Sequence, residues 1–228
     1  MNWSYSGNTG AQHWGDLAPE FAACKLGCKQ SPVNIVRART ANLDALEFDL
    51  HSSPLHLVNN GHSIQANYAP GSFLAVGAEK YQLLQFHFHQ PSEHKINGEA
   101  FPLEAHAVFE SVEKQLVVVA ILFEESPSAP LDTPLQTLWQ YLPERSGEKY
   151  SPPGITINLA DLLPKKLGYY RYEGSLTTPP CTEGVRWFLL RERLPITPEQ
   201  IARFAALYPH NARPLQALND REILTSAD

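Results

Sequence analysis

The stretch QLLQFHFHQPSEH, running from Gln82 to His94, decides how the rest of the chain is read. In a β-strand, alternate side chains point to the same face. The pattern therefore predicts a strand with Leu84, Phe86 and Phe88 on one side and Gln85, His87 and His89 on the other. The first face is apolar and suits a core. The second carries two imidazoles where an ordinary buried strand would carry Val or Ile.

Working outward, most periodic segments share this two-residue period: 55–57, 63–68, 73–76, 81–89, 103–110, 115–123, 169–173 and 185–190. Asn97-Gly98, between the fourth and fifth of them, is a hairpin signal. Helices are fewer. Thr133-Pro134 opens a segment with Leu135, Leu138, Trp139 and Leu142 at helical spacing. In TPEQIARFAAL, Thr197 is placed to cap, Pro198 to take the first helical position and Gln200 to complete a capping box. Ile201, Phe204 and Leu207 would form its buried stripe. With no internal repeat, low-complexity tract or linker, residues 1–228 read as a single domain. Its class is mainly β (α+β), with short peripheral helices.

Bulk properties narrow the functional classes. A chain of 228 residues, 43% apolar and 18% charged, is long enough to bury a substantial core. A formal charge of −6 gives no electrostatic reason to expect nucleic acid or an anionic membrane as partner. The longest apolar run, Leu116 to Phe123, is far short of a membrane span and reads as a buried strand. Met1-Asn2-Trp3 lacks the basic and apolar regions of a signal peptide, so the chain reads as one that starts at a mature N-terminus. The prolines number 19 and are scattered, which points to turns and stiff loops. Of the three cysteines, Cys24 and Cys28 have a spacing seen in zinc sites, but no second Cys/His pair follows. One disulfide plus one leftover thiol fits better and implies an oxidising compartment.

The segment PLEAHAVF adds a third histidine. Glu104, His106 and Val108 share one face of that strand, and Leu103, Ala105, Ala107 and Phe109 share the other. If the two strands are neighbours in one sheet, His106 meets His87 and His89. One such histidine would be an ordinary satisfied core residue. Three on matching faces form a ligand set for catalytic zinc, which leaves a coordination position open. A ligating histidine passes its other ring N–H to an acceptor. Gln85 precedes His87 by two residues and Glu104 precedes His106 by two, so both stand where such acceptors are needed.

With these residues in view, the sequence resembles the α-class carbonic anhydrases, specifically the bacterial secreted type. The resemblance runs through WSYSG, HWGDLAPEFAAC, QSPVNI, NNGHSI, QFHFHQPSEH, FPLEAHAVF, GSLTTPPCTEGVRW and NARPLQ, in the family's order. It implies a large central, twisted, mostly antiparallel β-sheet with the active site in a cone-shaped cleft. It also implies a Zn2+ cofactor held by His87, His89 and His106, with Gln85, Glu104 and a carbonyl near Asn211 orienting those rings. Thr177 would orient the attacking hydroxide and donate its own proton to Glu93, while Thr178 would contact bicarbonate. His62 matches the proton shuttle, and Tyr5, Asn60 and Gln65 match the positions that organise water. Val108, Val118, Leu176, Val185 and Trp187 match the apolar wall that receives carbon dioxide. Cys24 and Cys181 match the family's disulfide, leaving Cys28 as a free thiol or an intermolecular bridge.

The activity implied is reversible hydration of carbon dioxide to bicarbonate, with sulfonamides and anions as inhibitors. The implied setting is periplasmic or secreted, and the homodimer common among bacterial relatives is a further expectation. Gln90 departs from the family where animal members commonly carry Trp. His13, His51, His56, His94 and His210 receive no chemical role and read as structural or surface residues. Proline richness and short loops fit a thermostable protein. Two other functions compete: a non-catalytic binding module on the same fold, against which all three histidines argue, and a zinc hydrolase acting mainly on esters.

Overall fold

Residues 2–130 and 133–227 are described by a computed structural model; Met1, Leu131, Asp132 and Asp228 of the expected 1–228 domain lie outside the described residues. Thirteen strands among the described residues join in one sheet. They are β1 (Arg39–Ala41), β2 (Leu46–Asp49), β3 (His56–Asn59), β4 (Ile64–Asn67), β5 (Phe73–Val76), β6 (Glu79–His89) and β7 (Leu103–Glu110). After these come β8 (Leu116–Glu125), β9 (Lys149–Tyr150), β10 (Tyr169–Ser175), β11 (Glu183–Leu190), β12 (Leu194–Ile196) and β13 (Leu224–Ser226). The spatial order is β9-β3-β4-β6-β7-β8-β11-β10-β13-β1, with β5 on β6, β2 on β5 and β12 on β8. Most pairs are antiparallel; β8 runs parallel to β11 and β12, and β13 to β1. The fold is therefore the mainly β, mostly antiparallel architecture expected. No helix among the described residues is long and apolar enough to cross a membrane.

The central strands are buried on both faces. Leu103, Ala105, Ala107 and Phe109 of β7 join Val117, Val119, Ile121 and Phe123 of β8 in the larger core. Val108, Val118, Ala120, Leu122 and Trp187 build a smaller core on the opposite face. A strand covered on both sides must be apolar throughout, which explains the run LVVVAILF. Polar groups on such strands are costly unless bonded. The histidines of β6 and β7 are therefore exceptions that require partners.

One expectation within the opening stretch needs correcting. Leu84 does not share a face with Phe86 and Phe88. Tyr81 and Leu83 are buried with the two phenylalanines, while Leu84 is only half-buried. The cause is a β-bulge: Phe109 pairs with Leu83 and Val108 with Gln85, so Leu84 is the extra residue. Unbroken alternation from Tyr81 would have turned Gln85 and His87 into the core. The bulge resets the phase, so the phenylalanines go inward and Gln85, His87 and His89 go to the other face.

Asn97-Gly98 forms a tight turn, both residues having positive φ (52° and 83°). The turn closes a bridge between Ile96 and Glu99 and not the β6–β7 pair, whose connection runs from 90 to 102. Of the helices, α1 (Trp14–Leu17) and α2 (Ala23–Leu26) are single turns near the N-terminus, in a region where none was expected. α3 (Pro134–Gln140) and α4 (Pro198–Ala205) arise where the periodicity places them. The capping box is formed, Thr197 Oγ1 accepting from the Gln200 N–H while the Gln200 side chain accepts from the Thr197 N–H. Phe204 is fully buried, with Ile201 and Leu207 packed partly buried beside it.

Candidate metal centre

Strand register brings the three histidines together. His106 of β7 pairs directly with His87 of β6, and Glu104 with His89. One ring nitrogen from each of His87, His89 and His106 lies within 4.8 Å of the others. The second nitrogen of each ring is committed elsewhere. His87 Nδ1 donates to Gln85 Oε1 at 2.9 Å, His89 Nδ1 to the Asn211 carbonyl at 2.7 Å, and His106 Nε2 to Glu104 Oε1 at 2.7 Å. All three partners are acceptors, so these nitrogens carry the protons. The converging nitrogens, Nε2 of His87 and His89 and Nδ1 of His106, are left with lone pairs.

This donor set fits a cation. His89 Nε2 is buried with no hydrogen-bond partner, and burying such a group costs roughly 1–3 kcal/mol unless something satisfies it. Three imidazole lone pairs at one point, with no proton among them, suit zinc. Burial drives the His87 pKa well below the ordinary histidine value, its histidine neighbours adding to the effect, and burial likewise lowers that of His89. Both rings are thus neutral, as metal ligands must be. Burial pushes the Glu104 carboxyl up, but its electrostatic attraction to and hydrogen bonds from His94 and His106 outweigh it and hold the group well below its usual range.

Glu93 and Thr177 are both buried beside this cluster. Glu93 Oε1 accepts from the Arg213 backbone N–H at 2.8 Å; its Oε2 is buried without a partner and stands 3.9 Å from His106 Nδ1. The hydrogen bond that the resemblance implies from Thr177 to Glu93 is not formed, because neither Glu93 oxygen receives the Thr177 hydroxyl. The Tyr5 hydroxyl is also buried without a partner. Burial and the charge of Glu93 raise its pKa well above the usual phenol value.

A cavity of about 230 Å3 opens onto the three histidines. Val108, Val118, Leu176 and Trp187 form its apolar side, and Thr177 and Thr178 its floor of hydroxyls. Val185, expected on the same wall, stands two residues before Trp187 on the same face of β11 and packs with it in the smaller core.

The polar side holds Tyr5, Asn60, His62, Gln65 and Gln85. Gln65 sits opposite His87 across the β4–β6 pair. Asn60 Oδ1 accepts from the N–H groups of His62 and Ser63 at 2.9 and 2.8 Å, fixing the turn that presents His62. His62 is half-buried, and burial lowers its pKa from the ordinary 6.5.

Several residues escaped the sequence reading. Trp3 lines the cavity and stacks on the His62 ring, the centroids 3.5 Å apart and the planes 8° from parallel. An isolated aromatic at the N-terminus carries no periodicity that would flag it. His94 is fully buried, in contrast to the exposed His13, His51, His56 and His210. Arg213 is buried too: its guanidinium donates to Gln30 Oε1, the Ser31 carbonyl and the Cys24 carbonyl while its backbone holds Glu93. Burial lowers its pKa to about 10, Glu93 and Tyr172 acting in the opposite direction.

Cys24 and Cys181 are joined in a disulfide, with Cα atoms 5.0 Å apart. The link fastens the end of the Thr177–Thr178 loop to α2. Cys28 is a free, exposed thiol.

Comparison with known proteins agrees with this geometry. The sequence profile of the eukaryotic-type carbonic anhydrases matches residues 9–227. A carbonic anhydrase of Pectobacterium carotovorum is 43% identical over 98% of this chain and 91% of its own. Dioscorin dioA3 of Dioscorea japonica is 34% identical over 94% of this chain and 81% of its own. The solved structure of a hyperthermostable carbonic anhydrase identified from an active hydrothermal vent chimney superposes with a TM-score of 0.94 at 44% identity, covering 99% of this chain and all of that one.

Proposed function

Since the chain belongs to the eukaryotic-type (α) carbonic anhydrase family, we propose that it interconverts carbon dioxide and bicarbonate at a zinc ion held by His87, His89 and His106. The observation that carries this reading is the convergence of three imidazole lone pairs, one on a buried and unpartnered nitrogen, on a cavity lined by both apolar and polar side chains. Bound zinc supplies Lewis acidity that makes a water molecule acidic near neutrality, a property for which carbonic anhydrases are themselves the standard example.

The chain's own groups do the remainder. Gln85, Glu104 and the Asn211 carbonyl fix the tautomer and tilt of the three rings. Val108, Val118, Leu176 and Trp187 receive carbon dioxide, an uncharged and apolar molecule for which a charged clamp would offer nothing. Glu93 Oε2 needs a donor. A Thr177 hydroxyl turned toward it keeps a lone pair for the proton of the nucleophile and so aims the attack. Thr178 contacts the bicarbonate product. Tyr5, Asn60 and Gln65 organise the water between the reaction centre and His62, which passes the proton to buffer.

The disulfide and the bacterial relatives support a site of action outside the cytoplasm, periplasmic or secreted. Residues 1–228 act as one catalytic domain.

The direct experiment is stopped-flow hydration of carbon dioxide on protein carrying one zinc per chain, with a sulfonamide as inhibitor. Rapid, sulfonamide-sensitive hydration is expected. A zinc-loaded chain without it would be a binding module on the same fold.

A narrower prediction concerns His62. His62→Ala is expected to slow turnover in dilute buffer by up to about a hundredfold, the low end of what a positioned proton-transfer group contributes. Added imidazole buffer restores it. Because burial lowers the His62 pKa, the ring stays a neutral proton acceptor below pH 6.5. The shuttle-dependent part of turnover therefore has its midpoint under that pH; a midpoint above it, or no effect of imidazole on the variant, rules out the role.

A further inference from the structure

His94 has no part in the chemistry described so far, yet it is fully buried with both ring nitrogens engaged. Its Nδ1 meets Glu104 Oε1 at 2.6 Å, and its backbone N–H donates to Glu104 Oε2 at 2.8 Å. Glu104 Oε1 is the same atom that receives His106 Nε2. The carboxylate thus takes three hydrogen bonds, two of them from His94.

On the far side, His94 Nε2 meets the Tyr172 hydroxyl at 2.6 Å, and that hydroxyl meets Ser31 Oγ at 2.8 Å. Ser31 and Ser175 are doubly joined, each backbone N–H donating to the other's hydroxyl oxygen. Ser175 Oγ then donates to the Leu176 carbonyl at 2.8 Å. Leu176 and Thr177 line the cavity. An unbroken hydrogen-bonded chain therefore runs behind the cavity wall, from a candidate ligand ring to the backbone that carries Thr177.

We propose that His94 and Tyr172 form a positioning strut that holds the His106 ring and the Thr177 backbone in one fixed relation. This rests on the reading of His106 as a zinc ligand. No polar member of the chain from Glu104 to Ser175 is more than 2% exposed, so none can exchange its partner for bulk water. Swinging Glu104 away from His106 would also break its bonds to His94. Moving the Ser175 end would strip Tyr172 of its serine partner. Both ends are held by the same buried bonds, and partly satisfied networks of this kind are costly.

The test compares zinc release to excess chelator from wild type, His94→Leu and His94→Asn. Leucine removes the side-chain donor to Glu104 at similar volume. Asparagine places an amide N–H near the Nδ1 position but cannot reach Tyr172. His94→Leu is expected to release zinc on the order of tenfold faster, the low end for loss of an outer partner of a ligand. His94→Asn is expected to recover most of that loss. Both variants lose the tyrosine bond and melt at lower temperature, so a merely structural role would speed release equally in the two. Equal release from both, or release from His94→Leu no faster than wild type, overturns the strut.

Should His94→Leu fail to fold, Tyr172→Phe keeps the ring and deletes only the hydroxyl. It is expected to lower kcat/KM, which reads the attack on carbon dioxide, because the Thr177 end is loosened; an unchanged kcat/KM overturns the proposal. A wild type that takes up no zinc refutes the reading of the metal site itself. Normal zinc uptake with equal release from the two His94 variants refutes the strut alone.

Discussion

His106→Ala is expected to weaken zinc binding about a hundredfold and to remove measurable hydration of carbon dioxide. Four-ligand zinc sites in peptides bind with roughly 10–16 kcal/mol, or about 3 kcal/mol per ligand, which is the hundredfold quoted. The substitution also leaves Glu104 Oε1 with His94 as its one side-chain donor, inside a fully buried setting. Some stability is lost with it, so metal content and melting temperature are read on the same sample. Two imidazoles, His87 and His89, remain on one strand and define no closed site. Wild-type hydration by a folded His106→Ala protein would mean that the chemistry lies elsewhere.

The second large effect is on stability. The Cys24–Cys181 link joins positions separated by 157 residues. Constraining an unfolded chain over a loop of that length is worth about 5 kcal/mol, comparable with the whole stability of many domains. The paired variant Cys24→Ser, Cys181→Ser is expected to unfold at much lower urea concentration, as is the reduced wild type. Activity per folded, zinc-loaded molecule should persist. The Thr177–Thr178 loop is closed by its own backbone bonds, from the Leu176 N–H to the Thr182 carbonyl and from the Cys181 N–H to the Thr178 carbonyl. Gln30 and Arg213 still grip the Cys181 and Cys24 carbonyls. A fall of less than about 1 kcal/mol in unfolding free energy would show that the loop entropy is not what the bond contributes.

The central strands and the histidine cluster were legible in the sequence because a two-residue period encodes both. β5 and β7 have the bounds that their alternation predicts, and the face shared by Glu104, His106 and Val108 is the one observed. Leu84 shows the limit. Periodicity assumes an unbroken phase, and the bulge opposite Val108 breaks it just upstream of the histidines. Gln85, His87 and His89 nonetheless share the face expected of them, since phase is regular from Gln85 onward.

Strands of two or three residues, such as β1, β9 and β13, hold too few residues for any period to show; they form because a neighbour supplies the pairing. Asn97-Gly98 makes the turn that its residues favour, but the partner of that turn is set by β6 and β7 finding each other. Residues acting over long separations were also hidden. Arg213 reaches Cys24, His94 reaches Tyr172, and Trp3 reaches His62 only once the sheet is assembled.

Removal and return of the metal test the central claim most directly. Wild-type protein is stripped with a chelator, assayed for carbon dioxide hydration, and titrated back with zinc. Hydration is expected to vanish on stripping and to return in proportion to zinc, reaching a plateau at one ion per chain. Hydration that survives stripping, or a chain that binds one zinc without regaining it, would contradict the assignment of the three-histidine site.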